Sequence, residues 1–344
     1  MKTLNQKASA AKFLLGGIGT GNISLDQNAR LCDFELWNNP NKGYNAPYTF
    51  FAVRTQSLDG KIHKKVLESQ HAPPYDRSHG ANASDVGGLP RFRKSKMKGD
   101  YPFVNFKFTD NTMPVIAELE AFTPLIPLDV DNSSLPVGVL RYTIKNITDT
   151  PLTVSVAGSM ANLCNKKDRD GKPVNRYVKR EKCSGIQFLP GGKKETDLNY
   201  MEMALLTTEK DNVSYLDDWN DVAWWDGLQD FWNDFSEDGE LTPGRTVRGK
   251  GNMLHDNQMF AASLCVKKNI KPGKSATFEF IISWYHPNRV KSWDQRKPVC
   301  DPASGCCPPG EGAESIKNYY AKHGPSIKSA EYLIDNLPKL ESMS

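Results

Sequence analysis

Apolar residues recur at every second position in several separate stretches of this sequence, and no other feature restricts the fold as strongly. Val104, Phe106 and Phe108 would share one face of an extended chain, with Asn105 and Lys107 on the other. Val115, Ala117, Leu119 and Ala121 alternate with Glu118 and Glu120. Leu140, Tyr142 and Ile144 alternate with Arg141, Thr143 and Lys145, and Leu152, Val154 and Val156 resume the pattern after a turn. Phe260, Ala262, Leu264 and Val266 form another set, and Phe278, Phe280, Ile282 and Trp284 a last one. Successive side chains of a strand point to opposite faces, so each set predicts a strand with one face in a core. Asn146 to Pro151 and Lys271-Pro272-Gly273-Lys274 carry the residues that favour tight reversals. Half-buried strands joined by such turns predict a mainly β fold: a large antiparallel two-sheet β-sandwich, supersandwich-like in scale.

Helical spacing is confined to two regions. Val222, Trp225, Leu228, Trp232 and Phe235 recur at three- and four-residue steps and predict one amphipathic helix. Near the end, Ile316, Tyr319 and Tyr320 predict a short helix broken by Gly324-Pro325. Ile327, Ala330, Leu333, Ile334 and Leu337 then predict a second one up to Pro338. The 344 residues could hold one large or two ordinary domains. The pattern favours a single sandwich over 1–310 followed by a helical tail over 311–344. Residues 69–100 and 161–184 are rich in turn-forming or basic residues and read as long loops.

Several functions are excluded or weakened by what the chain lacks. Lys plus Arg exceeds Asp plus Glu only by 44 to 40, too even a balance for a dedicated nucleic-acid binder. No apolar run is long enough to span a membrane, and the longest near the start is Phe13-Leu14-Leu15, too short for a secretory core. The sequence therefore favours a cytoplasmic setting over a periplasmic or secreted one. The cluster Gly16-Gly17-Ile18-Gly19-Thr20-Gly21 invites a nucleotide reading, but Asn22 and Ser24 stand where GxGxxG needs glycine. Its glycines are better explained by positive φ or by close passage of the backbone beneath a neighbouring domain. The six histidines are dispersed without HExxH spacing, and no GxSxG elbow occurs. Cys300, Cys306 and Cys307 lack zinc-like spacing; free thiols, a local disulfide and a metal all remain open readings. No cofactor or metal is predicted.

The most unusual stretch is 217–240. It carries nine acids, no Lys or Arg, and four of the seven tryptophans: Trp219, Trp224, Trp225 and Trp232. Flat rings beside carboxylates suit the apolar faces and hydroxyls of a sugar. Trp224, Trp225, Asp226 and Trp232 are accordingly the candidate substrate-binding residues, with a β-glucoside or other glycan as ligand. The competing reading is an amphipathic helix whose Trp stripe docks on the sandwich while its acids face solvent.

Taken in order, these segments resemble a known family. Gly16-Gly-Ile-Gly-Thr-Gly-Asn-Ile-Ser-Leu25, Cys32-Asp33 and Trp37 are similar to the opening of glycoside hydrolase family 116, the non-lysosomal glucosylceramidase and bacterial β-glucosidase family. So are Phe122 to Pro136, Asn146 to Asp149, Leu228 to Leu241, Ser283 to Arg289 and Tyr332 to Glu341. The resemblance implies an N-terminal β-sandwich followed by a larger (α/α)6 barrel that holds the nucleophilic Glu and the acid/base Asp of retaining hydrolysis. No residue here matches those catalytic motifs, so none is assigned a catalytic role. The expected partner is that C-terminal catalytic domain of the same protein, with Gly17, Gly19, Gly21, Tyr332, Leu333 and Leu337 as candidate domain-interface residues. Alone, the chain is expected to be inactive. The rival expectation is a free-standing carbohydrate-binding β-sandwich module that uses the Trp segment as its stacking platform.

Overall fold

The structure is a computed structural model that describes residues 3–5, 8, 10–70, 88–165, 173–219, 226–243, 260–291 and 315–344. The first half of the described chain forms β1 (Thr3–Asn5), β2 (Lys12–Leu15), β3 (Asn22–Asp26), β4 (Leu31–Glu35), β5 (Phe50–Ser57), β6 (Ile62–Ser69) and β7 (Arg91–Phe92). It continues with β8 (Lys94–Asp100), β9 (Phe103–Thr109), β10 (Val115–Phe122), helix α1 (Val130–Ser133), β11 (Val137–Asn146) and β12 (Leu152–Ala161). The second half adds β13 (Val174–Lys179), β14 (Ser184–Leu189), β15 (Glu202–Thr207), β16 (Val213–Leu216) and helix α2 (Asp226–Asp238). After β17 (Ala261–Ile270), β18 (Ser275–Tyr285), β19 (Asn288–Val290) and β20 (Ser315–Lys317), a 3-10 turn (Tyr319–His323) leads into α3 (Ser326–Met343).

The strands assemble into a nine-stranded sheet ordered β1-β8-β9-β10-β11-β18-β15-β14-β13 and a six-stranded sheet ordered β16-β17-β12-β5-β6-β7. A three-stranded sheet, β2-β3-β4, and the β19-β20 pair complete them. Every pairing is antiparallel except β6 with β7. The alternation read from sequence sets the register: Leu140, Tyr142 and Ile144 of β11 lie opposite Phe280, Phe278 and Ala276 of β18. These inward sets join Val154, Val156, Leu264 and Val266 from the other sheet in one continuous core. The expected antiparallel sandwich is the observed fold.

Both large sheets are also apolar on parts of their outer faces, and a helix covers each. Phe50, Ala52, Ala157, Ala261 and Cys265 of the six-stranded sheet pack against Phe231, Trp232 and Phe235 of α2. Val137, Val139, Ala204, Leu206 and Ile281 of the nine-stranded sheet pack against Ile327, Ala330, Leu333 and Leu340 of α3. The molecule is thus layered helix, sheet, sheet, helix. Each sheet also sends one arginine outward to the end of its helix. Arg54 is fully buried, and its Nε and Nη2 donate to the carbonyls of Ser236 and Glu237 at 2.9 and 2.8 Å, in the last turn of α2. Positive charge at that end also complements the helix dipole. Arg141 forms a bidentate pair with Glu341 of α3 at 2.7 and 2.8 Å, donates from Nε to Glu279 at 2.7 Å, and lies over the Phe122 ring.

Several local expectations change. β8 and β13 fall inside the stretches read as loops. Ile316 lies in β20 rather than a helix, and the turn Tyr319–His323 is 3-10. Helix α3 runs through Pro338 instead of stopping there. A proline deletes one intrahelical donor, and here the packing of Leu333 and Leu340 on either side of it keeps the helix continuous.

Two predictions follow from the charges that hold the layers. Arg141→Ala strands Glu279 and Glu341 and should destabilise the fold by about 2–3 kcal/mol in urea unfolding, while Glu341→Gln should cost about 1 kcal/mol or less. A second site gives a pH signature. Burial by itself pushes the Asp110 carboxyl up, but hydrogen bonds from Lys65, from the Thr112 hydroxyl and N–H, and from the Arg93 N–H overcome it and hold it at about 2. Its folded value lies below the ordinary 3.8, so the stability it lends is full above 3.8 and is lost as pH falls toward 2. Asp110→Asn should therefore be less stable than the parent near pH ~7, with the gap closing across that acidic window in urea titrations.

Candidate functional site

The glycine-rich turn between β2 and β3 is pressed against the rest of the molecule. Gly17 donates its N–H to Leu135 O at 3.1 Å, and Ile18 to Ser133 O at 2.8 Å. A Cβ on Gly17 would sit 2.6 Å from Leu135 O, and at Gly21, with φ +83°, 2.4 Å from Glu35 O. Only glycine fits either position. Gly19 carries a φ of +68° and faces the ring of Tyr319. The turn is fixed from beneath as well: Trp284 Nε1 donates to Thr20 O at 2.8 Å, and Gly16 N–H to Thr123 Oγ1 at 2.8 Å. The expected close approach of backbone is real, and the segment it meets is 133–135 of this same chain.

That contact places four segments side by side. The Asp129 carboxylate caps α1 through the Asn132 N–H at 3.0 Å. Tyr332 Oη, from α3, donates to Asn132 Oδ1 at 2.8 Å. Lys322 pairs with Asp131, and Ser134 Oγ lies 3.2 Å from His323 Nε2. Burial, with the neighbouring Lys322 charge, pushes the His323 imidazole below its usual range. Around these polar anchors stand exposed apolar side chains: Ile18, Leu128, Val130, Tyr319 and Tyr332. Leu128 is fully exposed and has φ +68°, a left-handed backbone that a leucine adopts only at a conformational cost.

The candidate residues distribute unevenly. Gly17, Gly19 and Tyr332 line or support this apolar patch, and Gly21 closes its turn against Glu35. Leu333 is fully buried and Leu337 partly buried, both packing α3 onto the nine-stranded sheet. Trp224 and Trp225 lie outside the described residues, as does the side chain of Asp226, which begins α2. Trp232 is 8% exposed in the core beneath α2, with Lys64 Nζ 5.5 Å from its ring centroid. Trp219 is buried beside it and donates from Nε1 to Ser263 Oγ at 2.8 Å. Cys32, Cys164, Cys183 and Cys265 are buried free thiols, whereas Cys300, Cys306 and Cys307 lie outside the described residues. Among the described residues no group of three His, Cys, Asp or Glu side chains could hold a metal ion, and no helix is long and apolar enough to cross a membrane. Sequence reasoning missed Leu128, Val130 and the 3-10 turn as parts of one surface. The signal within reach was Pro127-Leu128-Asp129, an apolar residue between two turn formers.

Comparison with known proteins adds the family. Among solved structures, the GH36 alpha-galactosidase AgaA from Geobacillus stearothermophilus is 8% identical with a TM-score of 0.35, covering 80% of this chain and 40% of that one. The heparan sulfate lyase HepC from Pedobacter heparinus is 9% identical with a TM-score of 0.31, covering 83% and 40%. A further polysaccharide lyase is 8% identical with a TM-score of 0.34, covering 81% and 33%. The chain therefore spans well under half the length of each of these proteins, and likenesses this weak carry no argument. The family model described as "beta-glucosidase 2, glycosyl-hydrolase family 116 N-term" matches residues 13–339, nearly the whole sequence. The chain belongs to the glycosyl-hydrolase family 116 N-terminal domain family.

Proposed function

We propose that this chain is the bracing domain of a retaining β-glucosidase or glucosylceramidase-type hydrolase, inactive alone, whose chemistry resides in a separate (α/α)6 catalytic domain of the same protein. In this reading 1–310 form the sandwich and 311–344 the helical connection toward that catalytic domain. The observation that carries it is the patch of Ile18, Leu128, Val130, Tyr319 and Tyr332, exposed on a rigid base in a chain of this family. Apolar side chains held in water at a conformational cost are explained when a partner covers them. The catalytic domain is that partner, reached through the turn bearing Gly17, Gly19 and Gly21 and through Tyr332, while Leu333 and Leu337 hold α3 in position beneath. Trp224, Trp225 and Asp226 are proposed as a glycan-contacting segment near the entrance of the shared active site, while Trp232, buried beneath α2, serves to hold that helix on the sheet. The four tryptophans among the described residues are all buried, which gives the rival free-standing module no stacking platform there.

Two measurements test the reading. The purified chain should not turn over an aryl β-glucoside; hydrolysis abolished by an acid substitution within 217–240 would sink the proposal. Glucan binding lost on Trp224→Ala would favour the module instead. Leu128→Gly separates docking from stability. Glycine relieves the left-handed strain, so unfolding free energy should change by no more than ~1 kcal/mol. Association with the catalytic domain supplied in trans should weaken by about tenfold, the loss expected for one buried apolar anchor.

A further inference from the structure

An open cavity of about 490 Å³ lies where the first turns of α3 meet the β13–β14 hairpin, and the bracing role makes no use of it. Arg176, Gln187 and Glu202 line it from the sheet, and Lys328 and Glu331 from the helix, with Arg180 also at its lining. Arg176 and Arg180 share one face of the extended chain, the face on which Val178 packs toward α3.

The charges in this cavity are unequally committed. Glu202 is 4% exposed and fully engaged: Oε1 accepts from the Ser326 N–H and hydroxyl, each at 2.7 Å, and Oε2 from Tyr200 Oη at 3.1 Å. It serves the amino end of α3 and is not available to a ligand. Arg176 donates from Nε and Nη2 to Gln187 Oε1 at 2.9 and 2.6 Å. That contact fixes the guanidinium plane, and Nη1 has no hydrogen-bond partner among the described residues. Arg180 and Lys328 have no carboxylate within ion-pair distance among the described residues, although Lys268, Lys267 and Lys182 elsewhere on the surface each find one. Three cations therefore meet at a cavity lined by two carboxylates, of which Glu202 is already engaged and Glu331 is not, among the described residues. A polyanion would meet that carboxylate. A molecule with one anionic group and several hydroxyls would use both kinds of lining, because guanidinium forks match oxoanions, a carboxylate accepts from hydroxyls and an amide N–H donates to them. The volume lies within the usual range for small-molecule sites, ~300–1,000 Å³.

We propose that this cavity binds a sugar-sized hydroxylated oxoanion, a sugar phosphate or sugar carboxylate, with the oxoanion on Arg176, Arg180 and Lys328 and the hydroxyls on Gln187 and Glu331. The site stands independently of the bracing role, so failure of either leaves the other intact. Isothermal titration calorimetry on the 344-residue chain at low ionic strength tests it, with glucose 6-phosphate, glucuronate, inorganic phosphate and glucose as probes. Saturable binding of glucose 6-phosphate or glucuronate is expected, and which of them binds distinguishes phosphate from carboxylate. Arg180→Gln and Lys328→Gln should each weaken it by about tenfold, and Lys94→Gln should not. Both altered side chains are exposed, so thermal melting should match the parent and any loss reports on binding. The proposal is overturned if neither charged sugar gives saturable heat, if glucose or inorganic phosphate binds as tightly, or if both glutamine variants bind like the parent.

Discussion

Neither large sheet can leave both of its faces in water, and the rest of the architecture follows from that. A sandwich ordinarily buries one face of each sheet and solvates the other. Here Phe50, Ala157 and Ala261 on one outer face, and Val137, Val139 and Ile281 on the other, require covers, supplied by α2 and α3. Burying each helix also buries the problem of its carboxyl-terminal carbonyls. Arg54 meets it directly at Ser236 and Glu237, while Arg141 reaches the last turns of α3 through the side chain of Glu341. Two arginines projecting from opposite sheets thus tie down the last turns of the helices, and α3 in turn sets where Tyr332 stands.

The strands that were legible in sequence are those whose inward residues are all large and apolar, as in β9, β10, β11 and β18. The two strands that the sequence hid inside apparent loops lie at or next to the ends of the nine-stranded sheet, β13 at one and β8 beside β1 at the other. β8 turns only Ser95 and Met97 inward between Lys94, Lys96 and Lys98, and β13 is half-exposed throughout. A pattern made by burial cannot be read where little is buried. The helix over 226–238 was visible as a stripe, and the reading that docks its apolar side on the sandwich is the one that Phe231, Trp232 and Phe235 follow.

The candidate site was legible only in part, for a different reason. Four glycines within six residues announced an unusual approach of backbone, and the approach exists at Gly17 and Gly21. Nothing in the sequence said that the facing segment would be 133–135. Leu128 is marked only by the turn formers Pro127 and Asp129 on either side of it; its exposure is a property of a backbone angle, and angles of single loop residues leave no periodicity. The basic cavity was equally hidden, since Arg176 lies in an edge strand, Arg180 just past its end and Lys328 in a helix far along the chain. Tertiary juxtaposition made both surfaces, and family membership supplied what pattern alone could not.

The position of α3 in the chain has a consequence for biosynthesis. The outer face bearing Val137, Val139 and Ile281 is complete once β18 has been made, but its cover does not exist until residues 326–343 have followed. β11 likewise waits for β18, some hundred residues and more behind it, before its free edge is paired. A nascent chain on the ribosome therefore carries an unpaired strand edge and then an uncovered greasy surface, both hazards for aggregation. Closure arrives in one late step, so dependence on chaperones during translation should concentrate in the interval between synthesis of β11 and release of α3.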